Sequence, residues 1–216
     1  MAGTTVEDHD FVHQSLIDAF SVKKIVVSRD EVNAVMGYPK PVAILELLKQ
    51  KVENFDGSDG NLIFQLHEIF VANMVNFYKN DPQVKAKDGA VETFRNLKQQ
   101  GIQVALDTGF DRKIANTILE RLAWNEGEID FSVTSDEVDN GRPHPDMIFA
   151  AMKLAKVKHP EHVIKIGDTL SDLQQGKAAG CRFVVGITTG AFRREELINE
   201  YHTHLINDLR QVLEII

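Results

Sequence analysis

The sequence predicts an α/β fold: a Rossmann-like parallel sheet core with an inserted helical cap. Three observations carry that expectation. Residues up to about 85 read almost wholly helical. From about residue 88 onward, short apolar runs alternate with helical periodicity, as successive βαβ units require. Three of those runs end in loops of Gly, Thr, Asp and Arg, and such loops are where a parallel sheet gathers its chemistry.

Composition agrees with a packed globular chain. Of 216 residues, 43% are hydrophobic and 26% charged, which is ample for a buried core. The net charge of −8 argues against a nucleic-acid partner. A single cysteine, Cys181, excludes an intrachain disulfide and a multi-cysteine metal cluster. No apolar run approaches the roughly 20 residues that span a bilayer, so no membrane partner is expected. The segment Met1–Asp8 lacks a signal-peptide pattern, and a cytoplasmic location is the expectation.

In chain order, Phe11, Leu16, Ala19 and Phe20 recur at helical spacing. Ser28 and Glu31 form a capping-box pattern, and Gly37 marks a stop. Ala43, Leu47 and Leu48 give another apolar face, as do Leu62, Leu66, Ile69, Phe70 and Met74, with a loop over 56–60 between them. A helix is expected over 89–100, then a strand over 102–106 leading into Asp107-Thr108-Gly109. A helix over 112–124, a strand over 131–134 and a helix over 145–154 follow. The last units are a strand over 163–166, a helix over 171–179 and a strand over 183–187. The chain therefore divides into a cap, 9–85, and a core made of 1–8 and 86–216.

Each strand-end loop offers a distinct chemical group. Thr108-Gly109 supplies a hydroxyl and an unhindered N–H at a helix start, suited to an anionic oxygen; an ordinary capped turn explains the same residues. Arg142, held between Gly141 and Pro143, can grip two phosphoryl oxygens, although a surface arginine is the plainer account. His144 reads as loop filler. Asp168 and Asp172, four apart at a strand-to-helix junction, suit Mg²⁺, with simple helix capping as the alternative. The pair His202 and His204 merely shares one face of a strand-like stretch, and Cys181 and Trp124 read as core residues.

Taken in order, these loops, together with Ala2-Gly3-Thr4-Thr5, Met36-Gly37 and Lys40, resemble the haloacid dehalogenase superfamily, and within it the phosphonoacetaldehyde hydrolase (phosphonatase) branch and its phosphonatase-like relatives. The resemblance covers nearly the whole chain. It implies that Thr108 and Gly109 bind the phosphoryl group, that Arg142 clamps its oxygens, and that Thr4 and Met36 contact substrate. It implies Mg²⁺ held by Asp168 and the Ala2 carbonyl, with Asp172 in support. Lys40 matches the lysine that forms a Schiff base with the substrate aldehyde. An iminium there turns a carbanion leaving group into an enamine, while an aspartate attacks phosphorus. Typical phosphatases of the superfamily carry a general-acid Asp where this chain has Ala2, and a Schiff-base route dispenses with that acid.

Two departures stand out. Phosphonatases usually carry a His three residues beyond the lysine, and here that residue is Ala43, a pattern that phosphonatase-like relatives fit as well. The family's nucleophilic Asp immediately precedes the position of Met1. The chain as given is therefore expected to lack one central strand and that Asp, leaving strands 102–106 and 163–166 without a shared neighbour. The expected function is Mg²⁺-dependent P–C bond hydrolysis on a small phosphonate. The alternatives are a phosphatase for a small phosphomonoester and an inactive phosphate-binding chain. A homodimer is the expected assembly, although the sequence fixes no oligomeric state.

Overall fold

The computed structural model describes all 216 residues. Four helices come first: α1 (Phe11–Val22), α2 (Arg29–Ala34), α3 (Lys40–Lys51) and α4 (Gly60–Asn80). Local chemistry explains their ends. Ser28 and Glu31 form the expected capping box on α2, and Asp59 caps α4 through the Leu62 N–H. Leu66, Phe70 and Met74 recur every fourth residue along α4 and are fully buried, so this helix is the spine of the cap. Phe11 of α1 stacks on Phe77 of α4 at 3.7 Å between ring centroids.

The remaining elements alternate. They are α5 (Ala90–Gln99), β1 (Ala105–Thr108), α6 (Arg112–Arg121), β2 (Phe131–Thr134), α7 (Asp146–Ala155), β3 (Ile164–Gly167), α8 (Leu170–Ala179), β4 (Phe183–Ile187), α9 (Arg194–Leu197) and β5 (His204–Ile206). All pairings are parallel, as β1 with β2, β3 with β4, and β4 with β5. No helix is long and apolar enough to cross a membrane.

Two boundaries differ from the sequence expectation by three residues, the others by no more than two. The strand expected over 102–106 begins at Ala105, because Val104 is diverted to Asp130: its N–H donates to the carboxylate and its carbonyl accepts the Asp130 N–H. The helix expected over 112–124 stops at Arg121, because Ala123 turns into the left-handed region at φ 55°. Trp124 then starts a short 3₁₀ turn that buries its indole edge-on against Phe94, 5.3 Å away.

The sheet is split. β1–β2 and β3–β4–β5 form separate ladders, and β1 and β3 share no rung, as the sequence led us to expect. Between them runs a trench of about 680 Å³ lined mainly by apolar side chains, among them Phe94, Leu106, Met147, Ile164 and Ile166. Across its carboxyl end, Lys165 of β3 reaches Asp107 of β1 at 2.5 Å.

Packing assigns stability to the cap spine. Leu66→Ala, a substitution in a fully buried position, should cost about 2–5 kcal/mol in urea unfolding. Val26→Ser, at a position 83% exposed, should stay within about 0.5 kcal/mol in the same measurement.

Candidate active site

The carboxyl ends of the strands and the cap loop before α3 enclose a cavity of about 130 Å³. Of the nine residues singled out from the sequence, seven line it: Ala2, Met36, Lys40, Thr108, Gly109, Arg142 and Asp168. Thr4 and Asp172 stand one layer back. Thr4, expected to touch substrate, donates its hydroxyl to Asp168 at 2.5 Å. Asp172, expected beside a metal, has both oxygens engaged: one by Arg142 and by Lys165 at 2.9 Å, the other by the Thr169 hydroxyl and N–H. Its position is that of a buried counter-charge.

The fit between cap and core depends on glycine. A Cβ on Gly109 would stand 2.7 Å from the Tyr38 carbonyl oxygen and 2.8 Å from that of Gly37, so only glycine lets the cap loop lie on the loop after β1. A Cβ on Gly3 or Gly190 would strike the Asp168 carboxylate, which the backbone thus approaches from two sides.

Lys40 departs most from its plain reading. Between Pro39 and Pro41 it reads as a solvated loop lysine, yet it is only 3% exposed at the first turn of α3. Its ammonium nitrogen lies 5.6 Å from the Phe110 ring centroid and 5.8 Å from that of Phe70, with only a long contact, 3.5 Å, to the Tyr38 carbonyl. Burial, with Arg142 adding repulsion and Asp8 opposing it, pushes its pKa down to about 7. A large share is therefore neutral amine, the form that attacks a carbonyl.

Beneath the cavity lies a quartet of charges, Arg142, Asp172 and Lys165 buried and Asp107 half-buried. Burial alone would raise the Asp172 pKa, but Arg142 and Lys165 outweigh it and hold the carboxyl well below the usual range. Two atoms of the quartet, Asp107 Oδ2 and Arg142 Nε, have no hydrogen-bond partner. Sequence reasoning gave no role to Lys165, although a lysine inside a buried apolar strand is a signal in itself. It also gave no role to Asp8 or His13; both line the cavity.

The donor set fits Mg²⁺ modestly. Asp168 is buried, each of its oxygens accepts one hydrogen bond, from Thr4 and from the Ala191 N–H, and the Ala2 carbonyl takes none of the turn's backbone bonds. Two hard oxygens suit an ion that completes its shell with substrate oxygens and water.

Fold and cavity together define a capped α/β enzyme, with the Thr108-Gly109 loop, a buried arginine and a buried amine on one cavity at the carboxyl ends of the strands. The chain belongs to the haloacid dehalogenase-like hydrolases, whose family pattern matches residues 1–186. It is 28% identical over 224 residues to a phosphonoacetaldehyde hydrolase of Bacillus cereus, covering 100% of this chain and 83% of that protein. Its fold is similar to a phosphonoacetaldehyde hydrolase-like protein from Oleispira antarctica, with TM-score 0.85, 22% identity, and 99% and 88% of the two chains covered. It is also similar to a predicted phosphoglycolate phosphatase from Haemophilus somnus, with TM-score 0.81, 19% identity, and 100% and 94% covered.

The buried lysine gives a stability test. Its pKa is about 7 in the folded state against an ordinary 10.5. Between those values the folded state binds fewer protons than the unfolded one, so stability rises with pH, and the cost of burying the ammonium is complete below about 7. Lys40→Met should therefore gain on the order of 3–5 kcal/mol at acid pH, shrinking as pH rises, in paired urea titrations.

Proposed function

We propose that this hydrolase is phosphonatase-like and acts on a small aldehyde-bearing phosphonate of the phosphonoacetaldehyde type. The observation that carries the reading is Lys40: a buried amine of lowered pKa on the same small cavity as Thr108, Arg142 and Asp168. A solvated lysine would be fully protonated at neutral pH and a poor nucleophile toward an aldehyde.

In this reading Lys40 captures the aldehyde carbon. The Thr108 hydroxyl, the Gly109 N–H and the Arg142 guanidinium receive the phosphonyl oxygens at the strand ends. Asp168, held in place by Thr4 and Ala191, and the Ala2 carbonyl would hold Mg²⁺, whose chemistry is to offset charge on the transferring oxygens. Phe70 and Phe110 keep water from the amine. The cavity's small size favours a compact substrate. None of its carboxylates, Glu7, Asp8, Asp10 or Asp168, is assigned as phosphoryl acceptor. The deciding experiment therefore reads aldehyde capture, which these residues alone can perform.

Reduction with borohydride in the presence of phosphonoacetaldehyde should fix a label on Lys40, located by peptide mass spectrometry, and Lys40→Arg should abolish it. Absence of label on a folded protein would sink the Schiff-base reading. Turnover of phosphomonoesters by such a protein would then favour the phosphatase alternative.

A further inference from the structure

Formation of an imine needs a proton donor as well as an amine. The hydroxyl of the first adduct leaves only as water, so some group must protonate it. The residue three places beyond Lys40 is Ala43, which has no proton to give. The structure supplies a carboxyl from elsewhere. Asp8 sits at the entry to the cap, on the wall of the Lys40 cavity. One of its oxygens, Oδ1, accepts the Val12 N–H at 3.2 Å, which leaves Oδ2 free of protein partners. His9 and Asp10, both in the left-handed region at φ 47° and 63°, bend the chain immediately after it. Non-glycine residues adopt that conformation in succession only where the surroundings impose it.

We propose that Asp8 is a catalytic proton-transfer residue that serves Lys40 during imine formation and imine hydrolysis. The proposal rests on the Schiff-base reading of Lys40 and adds to it the group that moves the proton. Neutral Lys40 Nζ attacks the carbonyl carbon, the carbonyl π pair moves to oxygen, and a proton passes from nitrogen to that oxygen, giving a neutral carbinolamine. The Asp8 carboxyl then protonates the hydroxyl. The C–O bond breaks with its electron pair, water leaves, and the nitrogen lone pair closes the C=N⁺ bond. Asp8 remains as the carboxylate beside the new cation. Hydrolysis runs these steps in reverse and returns the proton to Asp8.

The electrostatics support this role. The titratable groups around Asp8 are Asp10 from its own turn, Lys40 of α3, Asp168 from the loop after β3, and the neutral phenol of Tyr78 of α4; His13 of α1 and Arg142 stand on the same cavity. Burial raises the Asp8 pKa, the Val12 N–H opposes it, Asp168 and Asp10 add to it, and the result is about 6. Asp8 and Lys40 thus hold protons with similar strength, which favours transfer in both directions.

Rapid mixing of the 216-residue chain with phosphonoacetaldehyde, quenched by borohydride over a pH series, measures the rate of iminium formation at Lys40. As pH rises, Lys40 loses its proton through about 7 and Asp8 through about 6, so the pair of neutral amine and protonated carboxyl peaks between them. The wild-type rate should follow a bell there. Asp8→Asn should slow it about 100-fold and leave only the rising limb, and Asp8→Glu should restore part of the rate. Asp8→Ser, which keeps an acceptor for the Val12 N–H, repeats the test if the Asn variant fails to fold. A purely electrostatic Asp8 predicts the opposite, because its charge favours the Lys40 ammonium, and its removal would speed trapping at acid pH. A rate equal to or above wild type therefore overturns the proposal while the Schiff-base reading stands. A wild-type protein that forms no iminium overturns both.

Discussion

The contact on which the rest depends is the buried ionic quartet of Arg142, Asp172, Lys165 and Asp107. It lies at the carboxyl ends of β1 and β3, which share no hydrogen bond, and Lys165 is the side chain that bridges the split. Two cations face two carboxylates, so the group is neutral although almost completely desolvated. Buried ions hold their place only when each partner compensates the other, and deletion of one leaves an uncompensated charge in apolar surroundings. The same cluster fixes Arg142 beneath the cavity. One arginine thus both balances charge in the core and lines the cavity.

Above that floor, site chemistry follows from how closely the cap loop approaches the core. Gly109 lets the carbonyls of Gly37 and Tyr38 come within van der Waals distance of the loop after β1, and this approach drives Lys40 between two aromatic rings. Exclusion of water then acts with opposite sign on the cation and the acid. It lowers the Lys40 pKa and raises that of Asp8 until the two nearly meet. Neither value follows from either residue alone. Both belong to the closed cavity.

Much of the fold was legible because its signals are local. The capping box at Ser28, the apolar face of α4 and the helix over 171–179 depend on neighbours within one or two helical turns. The strand Phe183–Ile187 is a short, mostly apolar run of the kind a buried parallel strand needs. The boundaries that shifted, at Val104 and Ala123, were decided by partners far away in sequence: Asp130 for the first and the Trp124 pocket for the second. The partners of Asp172 were not legible for the same reason. Its spacing from Asp168 suits a metal pair, whereas its ion pairs with Arg142, from the loop before α7, and Lys165 of β3 are set by the fold.

By itself, then, the sequence determined the α/β alternation, the helical cap and the strand-end loops that carry Thr108, Arg142 and Asp168, because hydrophobic period and turn chemistry are written residue by residue. Tertiary structure alone decided the state of those groups. It buried a lysine that its flanking prolines would leave in water and brought Asp8 back onto the same cavity. Burial and electrostatic fields are sums over the whole fold, and no local pattern encodes them.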